Sequence, residues 1–406
     1  MSDITRRQFA LRSGAALFAL PALGFGQKPG KREPAWYLSD EFLEKLPGLM
    51  DWAAVPGVAI AIVRDGKLAW SKGFGVKKVG EKDTVDSSTL FGAASLSKPV
   101  FAYAVMRMRD EKLIDLDRPL WNYLPNADLP DTENSKLLTA RHVLSHSSGL
   151  QNWRFNRDQK LEFAFKPGES FRYSGDGFFY LQRVAEQITG RGFEEFMQER
   201  VLKPLGMVTS TYLWKPENES LVAWGHDQRL SPSPMFNATQ GKLMLAVAAD
   251  WKKPVESWKY EDVVKAQALI NKDRPALPNF LLPNTAGSLI TSVDEYAKFM
   301  TRLMDRESRD SLDISEAGHK EMLSTQTKIN SGISWGLGVG LEEAASRRLF
   351  WHWGDNGTYK DFMMGDPVTR SGIVVFTNGS NGQRLWRTIV AEATGTDHAA
   401  FYFWMT

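Results

Sequence analysis

Phe91-Gly92-Ala93-Ala94-Ser95-Leu96-Ser97-Lys98-Pro99 is the stretch that decides how the rest of this chain is read. Ser95 and Lys98 lie three apart where a helix is expected to start, so hydroxyl and amine fall on one face, within reach of each other. Pro99 is tolerated there because first-turn amides have no partner inside the helix. From Pro99 to Leu113 the apolar residues Val100, Tyr103, Ala104, Met106 and Met108 keep helical spacing. A serine hydroxyl needs a neighbouring base before it becomes a nucleophile. A lysine in a desolvated pocket can have its pKa lowered enough to act as one. The same four residues would also make an ordinary helix start with an exposed lysine.

Upstream, Pro56-Gly57 opens Val58-Ala59-Ile60-Ala61-Ile62-Val63, apolar on both faces and so expected to be covered on both sides. Asp65-Gly66 then gives a hairpin signal, with Leu68-Ala69-Trp70 as the returning strand. Downstream, helices are predicted at Ala140–Ser145, Phe178–Thr189 and Gly192–Val201, and one helix with long flanking loops within Asp250–Ala276. Ser292-Val293-Asp294-Glu295 reads as a capping box opening a helix through Met304. Strand patterns return at Leu349–Trp353, Lys360–Met364 and Gly372–Asn378, followed by an amphipathic helix over Leu385–Glu392. Strands at both ends with helices between predict one α/β body built from the two ends, with a helical region inserted.

Two further places could carry chemistry. Tyr173-Ser174-Gly175 lies between Pro167-Gly168 and a predicted helix, where a phenol can turn into a cleft or simply pack. His352-Trp353-Gly354-Asp355 ends a predicted strand, where glycine lets a ligand approach the backbone; the same residues could merely lead into the Asp355-Asn356-Gly357 turn. His142 and His146 stand four apart, yet no third ligand accompanies them, so a hydrogen-bonding role is expected and no metal. Gly73-Phe74-Gly75 and Gly175-Asp176-Gly177 lack the rest of a phosphate-loop pattern, and no cofactor is expected.

Composition narrows the field. With 14 Trp and 23 Phe the bulk of the chain is not of a disordered type, and with no cysteine a thiolate nucleophile, a disulfide scaffold and Cys-based metal sites are excluded. There are 50 basic and 48 acidic residues, a formal surplus of +2. Arg6, Arg7 and Arg12 against Asp3 lie in residues 1–26, leaving 47 of each sign in the remainder. A balanced body with dispersed basic residues argues against nucleic-acid binding. The leader, with Thr5-Arg6-Arg7-Gln8-Phe9-Ala10-Leu11 and an apolar run from Gly14 to about Phe25, reads as a twin-arginine export signal, cut somewhere in residues 22–30. That run is shorter than the ~20 residues a membrane span needs, so no stable anchor is expected after removal, and the location expected is periplasmic or secreted.

Ser-x-x-Lys, then Tyr-x-Gly, then His-x-Gly, in that order, resembles the penicillin-recognising serine hydrolases. The resemblance is greatest to the class C β-lactamase branch with its family VIII carboxylesterases and D-specific peptidases. Leu144-Ser145-His146-Ser147-Ser148-Gly149-Leu150, Lys203-Pro204-Leu205-Gly206-Met207, Ala286-Gly287-Ser288-Leu289 and Val375-Phe376-Thr377-Asn378 extend it over most of the chain after the leader. It implies a β-lactamase/transpeptidase-like α/β (α+β) fold, an antiparallel sheet flanked by helices (residues 34–92 and 286–406) with an inserted mainly helical domain (residues 93–285). It implies Ser95 as nucleophile, Lys98 and Tyr173 as the proton-handling pair, and the backbone N–H groups of Ser95 and Asp355 as the oxyanion hole. The substrate-binding positions it implies are His352, Trp353, Gly354, Asp355 and Gly175. Two of them depart from the pattern: Gly175 stands where an asparagine is usual, and His352 where a lysine is usual. Both changes remove contacts to the amide and carboxylate of a penicillin-like ligand. The expectation is therefore an exported hydrolase of an ester or small amide. A class C-like β-lactamase, a D-specific peptidase, an acylated sensor without turnover and an inactive binding module are the alternatives. Trp353 either narrows the cleft or packs under the sheet.

Overall fold

The computed structural model describes residues 36–403, apart from Arg157, 306–312 and 345–346. The proposed export leader lies outside the described residues. Strand β1 (Gly57–Arg64) and β2 (Lys67–Gly75) form the expected hairpin, and Asp65 and Gly66 both take the positive φ that such a turn demands (52° and 73°). The sheet is completed by β3 (Thr327–Lys328), β4 (Ile333–Trp335), β5 (Gly340–Ala344), β6 (Arg347–Asp355), β7 (Lys360–Asp366) and β8 (Ser371–Thr377). Its eight strands run antiparallel in the order β2-β1-β8-β7-β6-β5-β4-β3, so the first strand pairs with the last, Ile60 opposite Val375.

Both faces of β1 are covered, as its apolar run requires. Ala59, Ala61 and Val63 join one core with Phe299, Met300 and Leu303, while Val58, Ile60 and Ile62 join a second with Leu46, Met50 and Ile389. Three helices provide this cover: α1 (Asp40–Ala53), α6 (Val293–Met304) and α7 (Gly382–Thr394). The chain between the two halves of the sheet forms α2 (Ser97–Asp110), α3 (Gly175–Thr189), α4 (Phe236–Trp251) and α5 (Tyr260–Ile270) with shorter turns. We propose that residues 34–92 with 286–406, and residues 93–285, be treated as the sheet body and the helical body of this unit.

The helix expected within Asp250–Ala276 is α5, flanked by connections on both sides, and it packs with α4 through a small core that includes Met244, Val263 and Leu281. One local reading needs correction. Ser292 caps α6 by accepting from the Glu295 N–H, but the return half of the capping box is missing. The Glu295 carboxylate instead accepts from the Thr209 N–H (3.0 Å) and the Ser210 hydroxyl (2.5 Å), a tertiary use that outweighs the local one. Helix α1 has no counterpart in the sequence reading; Pro47 inside it masks a helix that Ser39 caps. No helix among the described residues is long and apolar enough to cross a membrane.

Candidate active site

The elbow that carries Ser95 comes first along the chain. Ala94 is held at φ 47°, a left-handed conformation that a non-glycine residue adopts only under constraint from its surroundings. Ser95 follows in a single turn of tight helix, and α2 begins at Ser97. The elbow is pinned by Ser97, whose hydroxyl donates to the Ala94 carbonyl (2.5 Å) and accepts from the Leu289 N–H (3.0 Å). Ser95 itself is half-buried and lines a cleft of about 1120 Å³.

Lys98 lies on the face of α2 that the i, i+3 spacing predicts, with Nζ 3.0 Å from Ser95 Oγ. Its other contact is the Ala286 carbonyl at 2.7 Å, to which it donates. The side chain is 1% exposed, and burial pushes its pKa well below the usual lysine value. Around it stand the rings of Tyr173 (4.8 Å) and Phe178 (5.8 Å).

Tyr173 reaches the same place from the residue before the Ser174 cap of α3. Two interactions hold it: its ring lies 4.1 Å from that of His146, and the next N–H, of Ser174, donates to His146 Nδ1 (3.1 Å). Burial raises the phenol pKa, which Ser95 partly offsets. The hydroxyl is directed at the serine but does not complete a hydrogen bond with any group.

Strand β6 closes the site from the sheet side. Gly354 packs flush against the elbow: a β-carbon built on it would sit 2.6 Å from the Ala93 carbonyl oxygen and 3.2 Å from Ala94 Cβ. Only glycine lets the strand approach this closely, which brings Asp355 alongside Ser95. The Asp355 side chain is engaged elsewhere, with Lys360 at 2.5 Å and the Gly357 N–H at 2.8 Å. Its carboxylate is thus held by its neighbours in the β6–β7 turn.

Ser95, Tyr173, Trp353 and Asp355 line the cleft together. Trp353 belongs to the cleft, its ring 5.5 Å from that of Tyr173. His352 does not reach the wall. It is completely buried, hydrogen-bonded from Nδ1 to the Trp353 carbonyl (2.7 Å) and packed 5.4 Å from the ring of Trp335. Burial, reinforced by Lys98, lowers its pKa to about 3. Gly175 is also behind the wall, its N–H donating to Asn152 Oδ1 (2.9 Å). His142 and His146 share no ligand: Nδ1 of each accepts a backbone N–H, from Thr139 and Ser174.

Sequence reasoning missed Trp153 and Asn152, while the hydrogen-bonding role expected of His146 is the one it has. Trp153 lines the cleft beside Gly175, in a loop without periodic signal. His146 has a positive φ (52°) just past a helix ending at Leu144, so its four-residue spacing from His142 did not describe one helix face.

The model of the family described as Beta-lactamase matches residues 44–393. The protein named Protein flp, from Staphylococcus aureus (strain MW2), is 24% identical over 283 residues, covering 63% of this chain; the match spans 56% of that protein's length, a little over half. Among solved structures, the octameric penicillin-binding protein homologue from Pyrococcus abyssi superposes with a TM-score of 0.66 at 23% identity, covering 87% of this chain and 78% of that one. A class C beta-lactamase superposes with a TM-score of 0.67 at 15% identity, covering 87% and 94%. At these identities the structural likeness speaks for the fold.

Proposed function

This chain belongs to the Beta-lactamase family, and from that premise we propose that it is a serine hydrolase acting through an acyl-enzyme on Ser95. The observation that carries this reading is the buried Lys98 amine 3.0 Å from Ser95 Oγ, with no carboxylate among the causes that set its pKa. Desolvation of this kind favours the neutral amine, whose free lone pair is able to take a proton. As Ser95 Oγ attacks a carbonyl carbon, its proton passes to Lys98. The oxygen that gains charge is met by the N–H groups of Ser95 and Asp355; losing one such donor typically costs ~10²–10³ in rate. The Tyr173 hydroxyl then protonates the departing alcohol or amine and recovers a proton from the Lys98 ammonium. Water attacks the acyl-enzyme through the same groups in reverse.

For substrate, we read the site as one for esters or small amides. Supporting this are a Trp153 indole where an amide side chain at position 175 would stand, and a neutral His352 held away from the cleft. The test is kcat/KM on p-nitrophenyl butyrate against a chromogenic cephalosporin, with intact mass followed after mixing. Faster turnover of the ester with a transient adduct on Ser95 supports the reading. A far higher value on the lactam, or an adduct that persists, overturns it. Export through the leader is part of the same reading: substituting Arg6 and Arg7 by lysine should retain the protein inside the cell.

A further inference from the structure

The cleft extends well beyond the nucleophile, and its outer part is built differently from its inner part. There α4, α5 and the segment after α5 contribute Phe236, Leu243, Ile270 and Phe280 to its lining. Phe236 and Leu243 are 41% and 47% exposed, an apolar surface left open at the mouth. Among these side chains stands Arg274, the one cation of the cleft lining among the described residues. Its guanidinium lies 5.6 Å from the ring centre of Phe236 and 5.5 Å from that of Phe280. Two aromatic faces hold it in place while its N–H edge stays available. It makes no ion pair among the described residues, unlike Arg141, which pairs with Asp117 and Glu321.

The lining residues beside it carry no negative charge, and Asp273, which precedes it in the chain, is not part of the lining. Asn271 also lines the cleft, and its side-chain oxygen accepts from the Asp273 and Arg274 N–H groups (both 3.1 Å), leaving the amide nitrogen as its remaining donor. Asp355, the one acidic residue of the lining among the described residues, sits at the far end by Ser95 and is paired with Lys360.

We infer that the outer cleft is a binding subsite for an acyl arm that is apolar along its length and ends in a carboxylate, which Arg274 receives. The inference rests on the reading of Ser95 as the nucleophile of an ester hydrolase. The apolar side chains take the arm out of water, and the stacked guanidinium offers its parallel N–H bonds to a carboxylate. Half-esters of dicarboxylic acids have this form.

The test uses p-nitrophenyl monoesters of linear dicarboxylic acids of increasing length, each beside the neutral counterpart whose free acid is a methyl ester. At the length that spans the cleft, kcat/KM for the acid ester should exceed that of its neutral counterpart by about tenfold, ~1.4 kcal/mol. Arg274→Gln should bring this ratio near one, Arg274→Lys should retain part of it, and Arg274→Glu should reverse it in favour of an arm ending in an amine. A thermal melt of each variant confirms that it folds. Binding of the same esters to Ser95→Ala, by titration calorimetry, separates the two readings. Arg274-dependent binding without turnover in the wild type removes the hydrolase reading and keeps the subsite. Turnover with an acid-to-neutral ratio that Arg274→Gln leaves unchanged at every length removes the subsite and keeps the hydrolase.

Discussion

The indole of Trp153 fills the space into which any side chain at Gly175 would grow: a β-carbon built on Gly175 lies 2.3 Å from Trp153 Cζ2. The two positions are therefore coupled. Gly175→Asn alone must displace a ring packed against the core, an overpacking that costs about 1–3 kcal/mol, and it should lower both Tm and ester turnover. Trp153→Ala with Gly175→Asn should recover the Tm and raise the lactam-to-ester ratio of kcat/KM by about tenfold or more, a change of ~1.4 kcal/mol. Additive effects of the two substitutions would show that the contact does not set selectivity.

Gly354 makes a second close approach, against the Ala93 carbonyl. Gly354→Ala has nowhere to place its methyl group except by moving β6 away from the elbow. Since Asp355 follows it, the proposed oxyanion donors should separate. The expected result is a fall in kcat of about 10²–10³ with a much smaller change in KM. A loss confined to KM would mean that Asp355 contacts bound substrate but not the transition state.

How far the sequence revealed this site depends on which residues follow a local rule. Ser95, Lys98 and the Asp65-Gly66 hairpin were legible because helix spacing and turn chemistry act within a few residues. Five of the eight sheet strands were legible from apolar runs or turn signals, but β3, β4 and β5 were not, and neither was the order, since the pairing of Val58 with Thr377 is set by packing between distant segments. Glu295 looked like a local cap and is a tertiary acceptor. His352 sits at the position expected for a substrate contact, yet its side chain points into the core, because alternate residues of a strand face opposite ways. Ala94 at positive φ and Trp153 against Gly175 carry no sequence signal, as both arise only when separate segments meet.

In the proposed mechanism Lys98 links catalysis to stability. Its folded-state pKa lies below the ordinary lysine value because burial penalises the charge. Below that ordinary value the unfolded chain thus binds a proton that the folded protein does not. The wild type should lose stability relative to Lys98→Met as pH falls from ~10.5, the unperturbed value, toward the lowered folded pKa. Chemical denaturation of both proteins across pH measures the difference. Over the same range Lys98→Met should lower kcat by about 10²–10⁴ if the amine transfers the serine proton. Retained turnover would move the base to Tyr173, and an absent stability difference would mean that the lysine stays charged in the folded protein.

His352 bears on the pH profile through its burial. Held at a pKa of about 3 between Lys98, His146 and the rings of Tyr173, Trp335 and Trp353, it stays neutral over the whole range in which an exposed histidine titrates. No inflection in kcat/KM near pH ~6.5 should therefore trace to it. Its mark should be on stability. Because the folded pKa is below the unfolded one, the group contributes fully above the unfolded value, and that contribution is lost progressively as pH falls from ~6.5 toward 3. Tm measured from pH 7 down to 4 should fall more steeply in the wild type than in His352→Gln. An inflection near 6.5 in the wild-type rate profile that disappears in His352→Gln would instead place the imidazole in contact with substrate, and would require the strand to open at that point.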